Sequence, residues 1–530
     1  MKKVLKKIQI LALAVALGLN SGCSDFLDTS SSVDTSDGDV LSNTAGLQKV
    51  LTSAYKQLYF NSQGADRVYA GLPGLQMYVD LGGSDVLCHT NMGGNQLTAY
   101  RYEPLKTQAN GLSDAIWSMM YKIINQTNII IDNIESAQGE QATKDAILGQ
   151  AKAIRGICYF HLIQNYQQTY AIAKQKPGVI LRLTSKDEQN LPRATVQATY
   201  DQIVKDLTDA KSLLGSYTRE GKWFINQDVV TGHLARVYLV MNDWSKALAE
   251  STELYGKYPT LMSKEQYRAG FDDVISKNYP EVVWAVKFTD QNNLGGGTQF
   301  NFWYNQDASY GEGFTDGPIY SFLDFFADGK YEQLFEKTED RYQFWKRTNN
   351  ASAEWSTKWA YDKYKHYGDG NGAKQSNTRP EISLMRSAEM LLIMAEASAQ
   401  LNNGQGLTHL NKLQKARGVK NLTSVASGTN LLEAIYVERR KELLCEGVTG
   451  LYDLLRLQKP LIRYQETASY KEGHYTWGVS YLNGYVANSA NPTGTFPSND
   501  YRLLCQIPQL EIVNNEALTE SDQNPYSGTK

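Results

Sequence analysis

Residues 233–259 read HLARVYLVMNDWSKALAESTELYGKYP, and the spacing within this stretch decides the fold. Leu234-Ala235 is followed by Tyr238, then Ala247, then Pro259. Those intervals suit a tetratricopeptide unit, with small residues where two helices touch, a tyrosine in the groove between them and a proline closing the second helix. The consensus tryptophan and several other positions are absent, so the match is partial.

Working outward, apolar residues keep helical spacing over 44–60 and 113–137, the latter through Ile116, Met120, Ile123, Ile124, Ile131 and Ile134. The pattern returns over 142–170 with Ala151, Ile154, Cys158 and Leu162. It returns again with Tyr200, Ile203, Leu207, Ala210 and Leu214, where Thr199 and Gln202 have capping-box spacing. A second helical pair is predicted at 383–417, with Ala395 and Ala397 as contact residues, and a third run at 430–458, broken at Gly447 and Gly450. The predicted class is mainly α, with tetratricopeptide-like helical pairs forming a superhelical scaffold that carries long loops and short β-strand insertions.

Two regions depart from that pattern, residues 259–382 and 462–500. Glycine, asparagine and aromatics dominate them, as in LGGGTQFNFWYNQDASYGEGF and WSTKWAYDKYKHYGDGNG, while EVVWAVKF at 281–288 reads as a strand. Long irregular insertions on a rigid scaffold usually carry function. The expected organisation is a helical N-terminal region at 44–258 and a C-terminal region at 259–530, joined as one composite unit.

Before them, Met1 to Lys7 carries four lysines and Ile8 to Leu19 is almost wholly apolar. A basic start, a short apolar core and small residues make a secretory signal over 1–22. The apolar part falls well short of the ~20 residues that span a bilayer. Cys23 after Ser21-Gly22 resembles a bacterial lipobox, with Asn20 in place of the usual leucine. The resemblance implies an acylated N-terminal cysteine, and several acyl chains hold a protein at a membrane where one chain holds it weakly. Ser24 to Asn43, rich in Ser, Thr and Asp, then reads as a flexible tether.

Charge narrows the partners. The chain has 53 basic and 56 acidic residues, and removing the four lysines of residues 1–22 leaves 49 against 56, a net −7. That balance excludes a nucleic-acid binder and a polybasic membrane patch. Cys88, Cys158, Cys445 and Cys505 are widely spaced with no C-x-x-C pair, so the sequence assigns neither a metal site nor a disulfide. No G-x-S-x-G, H-E-x-x-H or EF-hand loop is present. No cofactor is implied, and calcium has no motif to assign it. Gly215 to Lys222 imitates a phosphate loop, but its glycines are wrongly spaced and Trp223 replaces the required hydroxyl. The charge run Glu438-Arg439-Arg440-Lys441-Glu442, with Glu446, Asp453 and Arg456, suits ion pairs between packed helices. Arg439 is expected near Glu442 and Glu446, and Arg155 and Arg386 are expected in similar scaffold roles.

Binding is the better chemistry for the insertions. The chain holds 34 Tyr, 15 Phe and 9 Trp. A sugar ring stacks its C–H face on Trp or Tyr, while its hydroxyls bond to Asn, Gln, Asp, Arg or His, so a sugar site interleaves the two kinds on loops. One stretch of this kind holds His89, Asn91, Asn95, Tyr100, Arg101 and Tyr102. The other holds Asn301, Trp303, Tyr304, Asp307 and Tyr310. Trp117, Trp244 and Tyr238 lie on helical faces and read as core; Trp355, Trp359 and Tyr367 are intermediate candidates.

Five segments in order carry a family resemblance: AKAIRGICYFHLIQNYQ, HLARVYLVMNDWSKALAE, SLMRSAEMLLIMAEASAQLNNGQGLTHLNKLQKARG, EAIYVERRKELLCEGVTGLYDLLR and YRLLCQIPQLEIVNNEALTESDQNPY. They resemble the SusD/RagB family of nutrient-binding outer-membrane lipoproteins, the last down to Pro508, Glu511, Asn514 and Asn524-Pro525. The resemblance implies a surface lipoprotein of Bacteroidota that captures a glycan, or in some members a peptide. It also implies a SusC-like TonB-dependent transporter as partner, and an outer-membrane, outward-facing location with which Asp25 and Asp28 are compatible. A surface glycosidase is the competing reading from another class, since 56 acids always permit a catalytic pair. Cys23→Ala is expected to abolish incorporation of labelled palmitate and release the protein from the membrane fraction; retention of label would sink the anchor.

Overall fold

The computed structural model describes residues 40–60, 71–88, 111–186, 190–271, 273–287, 325–327, 334–346, 360–361, 363, 381–425, 427–462 and 495–525, with side chains omitted at 86–88, 325–327, 345–346, 360–361 and 495. Its helices are α1 Thr44–Phe60, α2 Gly71–Leu81, α3 Gly111–Asn133, α4 Gln141–Tyr166, α5 Tyr170–Ala173, α6 Val196–Leu213 and α7 Gln227–Met241. They continue with α8 Trp244–Lys257, α9 Lys264–Arg268, α10 Ser387–Gln400, α11 Gly406–Ala416, α12 Gly428–Leu443, α13 Gly450–Arg456 and α14 Gln509–Asn514. Strands are short and pair antiparallel in twos: β1 Val86–Cys88 with β5 Phe325–Ala327, β2 Pro177–Ile180 with β3 Arg193–Thr195, and β4 Val282–Lys287 with β8 Glu381–Arg386. The remaining pairs are β6 Trp345–Lys346 with β7 Ala360–Tyr361 and β9 Leu461–Ile462 with β10 Thr495–Phe496.

Helical periodicity explains the order of packing. Leu47, Leu51, Ala54, Tyr55 and Leu58 put one face of α1 into the core, and Ala247, Ser251, Leu254 and Tyr255 do so for α8. Successive helices stack on their neighbours: α3 on α4, α4 on α6, α6 on α7, α7 on α8, then α8 on α10 and α10 on both α11 and α12. The pair α7–α8 is the unit expected from residues 233–259. Asn242 turns it in the left-handed region at φ 60°, and Asp243 caps α8 by accepting from Lys246 N. Ala235 and Ala247 are fully buried at the contact.

Three local expectations are corrected. α6 starts at Val196, capped by Thr195, whose side chain accepts from Ala198 N; Thr199 only donates back to the Thr195 carbonyl, so Thr199 and Gln202 form no capping box. Residues 383–386 are strand, because all six residues of EISLMR are buried and a wholly buried strand lacks the alternation that reveals one. Val40 to Asn43, counted with the tether, are docked: Asn43 bridges Gln138, and Gln138 N donates to Ser42 O at 2.8 Å.

The C-terminal stretch closes the N-terminal helices. Asn524 Nδ2 donates to Tyr166 O at 2.7 Å, satisfying a carbonyl that the end of α4 leaves without an intrahelical partner. It also donates to Cys505 O, while Cys505 N donates to Asn165 O. Gln523 pairs with both backbone groups of Ile507, and Arg193 reaches from β3 to the Asp522 carbonyl at 2.6 Å. Glu511 accepts from Trp117 Nε1 and pairs with Arg182, and Pro508 precedes the first turn of α14.

The two halves also meet at the predicted helix break. Gly447, at φ +65°, lies so close to α2 that a β-carbon would stand 2.3 Å from Gln76 Cα. Gly450 is similarly pressed against Val79 O, and Gln76 Nε2 donates to Glu446 O and Ser383 O. No side chain other than hydrogen fits at either glycine.

Beneath that seam lies a buried ionic lattice. Glu442 on α12 accepts from Arg386 at 2.9 Å, from Arg417 at 2.9–3.2 Å and from Arg341 at 3.3 Å. Arg386 and Arg417 both reach Glu281, at 2.7 and 2.6 Å. Lys363 and Arg386 hold Glu446, Arg341 holds Glu438, and Lys441 and Arg341 hold Glu339. Five cations thus meet five carboxylates, and every member is at most 4% exposed, so the burial is nearly complete and the charge balanced. Tyr267 lies under Arg417 and Phe271 under Arg386 and Lys363. Burial raises the Glu442 carboxyl, but Arg417, Arg386 and Arg341 outweigh it and hold it well below the usual range.

The structural reading of the charge run stands, with one change of partner. Arg439 pairs with Asp453, which Arg456 also holds while bridging to Glu396; Arg439 is not the partner of Glu442 or Glu446. Arg155 holds Asp206 and Asn128 in a separate buried cluster.

Arg386→Met removes the cation shared by three buried carboxylates, Glu281, Glu442 and Glu446, and is expected to cost about 3–5 kcal/mol. Lys205→Ala, at an exposed i,i+4 pair with Asp209, should cost at most about 0.5 kcal/mol. Guanidinium unfolding midpoints compare the two, and equal effects would refute the ranking. The Glu442 contribution is present above the unfolded carboxylate value of about 4.3 and is lost as pH falls below it.

Candidate functional site

The anchoring of β1 positions the first aromatic-polar stretch. Gly82 and Gly83 end α2 by donating to Tyr78 O and Asp80 O, and Asp85 is then clamped by Arg440 of α12, whose Nε donates at 2.9 Å. From that fixed point β1 pairs with β5 in the register Val86↔Ala327, Leu87↔Phe326, Cys88↔Phe325. The pair Cys88↔Phe325 therefore marks one end of the ladder. His89 follows Cys88 directly in sequence, and Tyr310 precedes Phe325 by fifteen residues.

A second root lies at β4 and β8. Lys287, the last residue of β4, pairs with Glu381, the first of β8, so the chain from 288 onward leaves beside its point of return. Glu381 is held by Ile275 N, Ser276 N and Ser276 Oγ at 2.5–2.8 Å. Leu461↔Phe496 closes a third ladder at the base of residues 463–494. The scaffold thus gathers the ends of each insertion at a hydrogen-bonded base.

The candidate contacts themselves, His89, Asn91, Asn95, Tyr100, Arg101, Tyr102, Asn301, Trp303, Tyr304, Asp307 and Tyr310, lie outside the described residues, as do Cys23, Trp355, Trp359 and Tyr367. What the structure shows is the β1–β5 ladder, which the first stretch follows directly in sequence. Trp117 and Tyr238 are buried and Trp244 is partly buried against the core, as their helical positions predict.

Other chemistries find little support among the described residues. Cys158, Cys445 and Cys505 are buried free thiols, and desolvation pushes each one up, Cys505 to about 12. A buried protonated thiol is a poor nucleophile. No group of His, Cys, Asp and Glu among the described residues could hold a metal ion. No described helix is long and apolar enough to cross a membrane. A small apolar cavity beside α2 and α3, lined by Leu75, Tyr78, Leu112, Ile116 and Met119, measures about 10 Å³ and has no room for a sugar ring. One feature escaped the sequence reading: Arg219 and Lys222, from the discarded phosphate-loop look-alike, lie along the free edge of β4.

Directly opposed residues of an antiparallel pair stand close enough for a disulfide. Phe325→Cys is therefore expected to cross-link to Cys88 under mild oxidation, seen as a gel-mobility shift reversed by reductant. Absence of the cross-link would refute the β1–β5 register.

Residues 25–239 match a family model described as "SusD-like_3: Starch-binding associating with outer membrane", and residues 298–526 match the model of the SusD family, SusD_RagB. No curated protein compared with the chain matches it in sequence. A SusD-like carbohydrate binding protein from Bacteroides vulgatus ATCC 8482 is 27% identical with TM-score 0.76, over 92% of this chain and 100% of its own. A SusD superfamily protein from Bacteroides thetaiotaomicron VPI-5482 is 24% identical with TM-score 0.72, over 91% and 100% of the two chains. A laminarin binding SusD-like protein shares the fold at 17% identity and TM-score 0.67, over 91% and 99%. Helical architecture and matched sequence agree, and the chain belongs to the SusD/RagB family.

Proposed function

We propose that this protein is an outward-facing outer-membrane lipoprotein, anchored through Cys23, that captures a glycan without catalysis and delivers it to a SusC-like TonB-dependent transporter. The observation that carries the reading is the β1–β5 ladder, from whose last residue, Cys88, the first aromatic-polar stretch of the sequence follows directly. Family membership and the carbohydrate binding named for the Bacteroides vulgatus relative support it.

The physical division of labour is simple. The ionic lattice and helix stacks supply a rigid body on which the insertions are carried. Aromatic faces take the C–H surfaces of the sugar and the amides and carboxylates take its hydroxyls. Capture asks for no bond to be broken, and transport asks for release, so no nucleophile or proton donor is needed.

Trp303→Ala together with Tyr304→Ala is expected to weaken polysaccharide affinity by roughly tenfold or more, as removal of aromatic anchors does. Isothermal titration of the mature protein against the polysaccharides on which its source organism grows is the measurement. Reducing-end release from a bound glycan should stay at background. Unchanged affinity of the double variant would remove these two residues from the site, and release above background would make the protein an enzyme.

A further inference from the structure

The loop between α6 and α7 covers the edge of β4 that β8 leaves free. Ala285 N donates to Lys222 O at 3.1 Å, Arg219 Nη2 donates to Val283 O at 2.8 Å, and Tyr59 OH fastens Trp223 O at 2.6 Å. Two cations are thereby fixed three residues apart on a well-held backbone.

Among the described residues their side chains bond to neutral groups. Lys222 Nζ donates to Tyr279 O at 3.1 Å, and Arg219 donates to the carbonyls of Phe224 and Val283 and meets Tyr258, whose hydroxyl donates to Asp228. Among the described residues neither has a carboxylate within ion-pair distance, whereas Lys152, Lys211, Arg236 and Lys257, on the neighbouring helices, all do. The nearby carboxylate, Glu381, already accepts from Ile275 N, Ser276 N and Ser276 Oγ and faces Lys287 at 3.6 Å. Burial, then the adjacent Arg219, pulls Lys222 down to about 8, and Glu381 offsets only part of this. A half-buried cation without a counter-charge is costly in a folded protein. In a chain of net charge −3, this excess of positive charge among the described residues stands near Lys287, the last residue of β4.

We propose that Arg219 and Lys222, flanked by Lys287, form a subsite for an oxyanion carried by the ligand, the carboxylate or sulfate of an acidic glycan. The inference rests on the glycan-capture reading and narrows its substrate class. An incoming oxyanion takes the remaining N–H groups of Lys222 and offsets the repulsion from Arg219.

Affinity of the mature protein and of Lys222→Gln is measured by calorimetry for oligogalacturonate, chondroitin sulfate and neutral laminarin. Acetylation of Lys222 at pH 8, followed by peptide mass spectrometry, is measured with and without each. The expected result is that an acidic glycan binds, slows Lys222 acetylation severalfold, and loses about tenfold in affinity in Lys222→Gln while Lys222→Arg retains it. The galacturonate and chondroitin arms tell carboxylate from sulfate. Binding of laminarin alone, unaffected by Lys222→Gln and without protection of Lys222, overturns the subsite and leaves glycan capture standing. Binding of no polysaccharide, from these or the growth substrates, overturns glycan capture and this inference with it.

Discussion

The ion pairs around Glu442 are the constraint on which the rest of the architecture depends. Glu442 comes from α12, Arg417 from the end of α11, Arg386 from the end of β8, Arg341 from a short turn at 340–344 and Glu281 from the residue before β4. None of these groups tolerates burial alone, so none of their elements can settle until the others arrive. An apolar core would accept several packings of the same helices; a charge-balanced lattice with fixed hydrogen-bond directions accepts far fewer. The cost of desolvating ten charged groups is offset only in that one arrangement, with Tyr267 and Phe271 closing it from water.

That lattice sits beside the roots of the insertions. Arg386 ends the same strand that Glu381 begins, and Lys363 belongs to the stretch between β7 and β8. Arg440, one residue before Lys441 of the lattice, clamps Asp85 just ahead of β1. The lattice therefore fixes strand ends, and the strand ends fix where the variable loops begin. A binding surface can change its tips in such a design without disturbing the charge balance below them.

Much of this was legible in residue spacing, and the failures have physical causes. Helices such as 44–60 and the pair at 233–259 have one buried face, so their period shows. EISLMR is buried on all sides and shows none. Thr195 and Thr199 are both plausible caps by type, and only the backbone geometry of residue 195 separates them. Arg439 lies within helical reach of Glu442, yet it faces Asp453 across a helix break whose closure against α2 depends on Gly447 and Gly450. Arg219 and Lys222 were invisible for another reason: their place along the edge of β4 is a fact of three-dimensional neighbourhood, and no spacing rule reports it. The aromatic-polar stretches were recognised by composition, and what the fold adds is the β1–β5 ladder that the first of them follows in sequence.

The position of Asn524 has a consequence for the order of events during biogenesis. The carbonyl it satisfies ends α4, while Asn524 itself is synthesised some 360 residues later. The final turn of α4 therefore stays unlatched until that later segment is available. A helix made early is thus locked by a stretch delivered late, and the N-terminal helices cannot finish closing on their own.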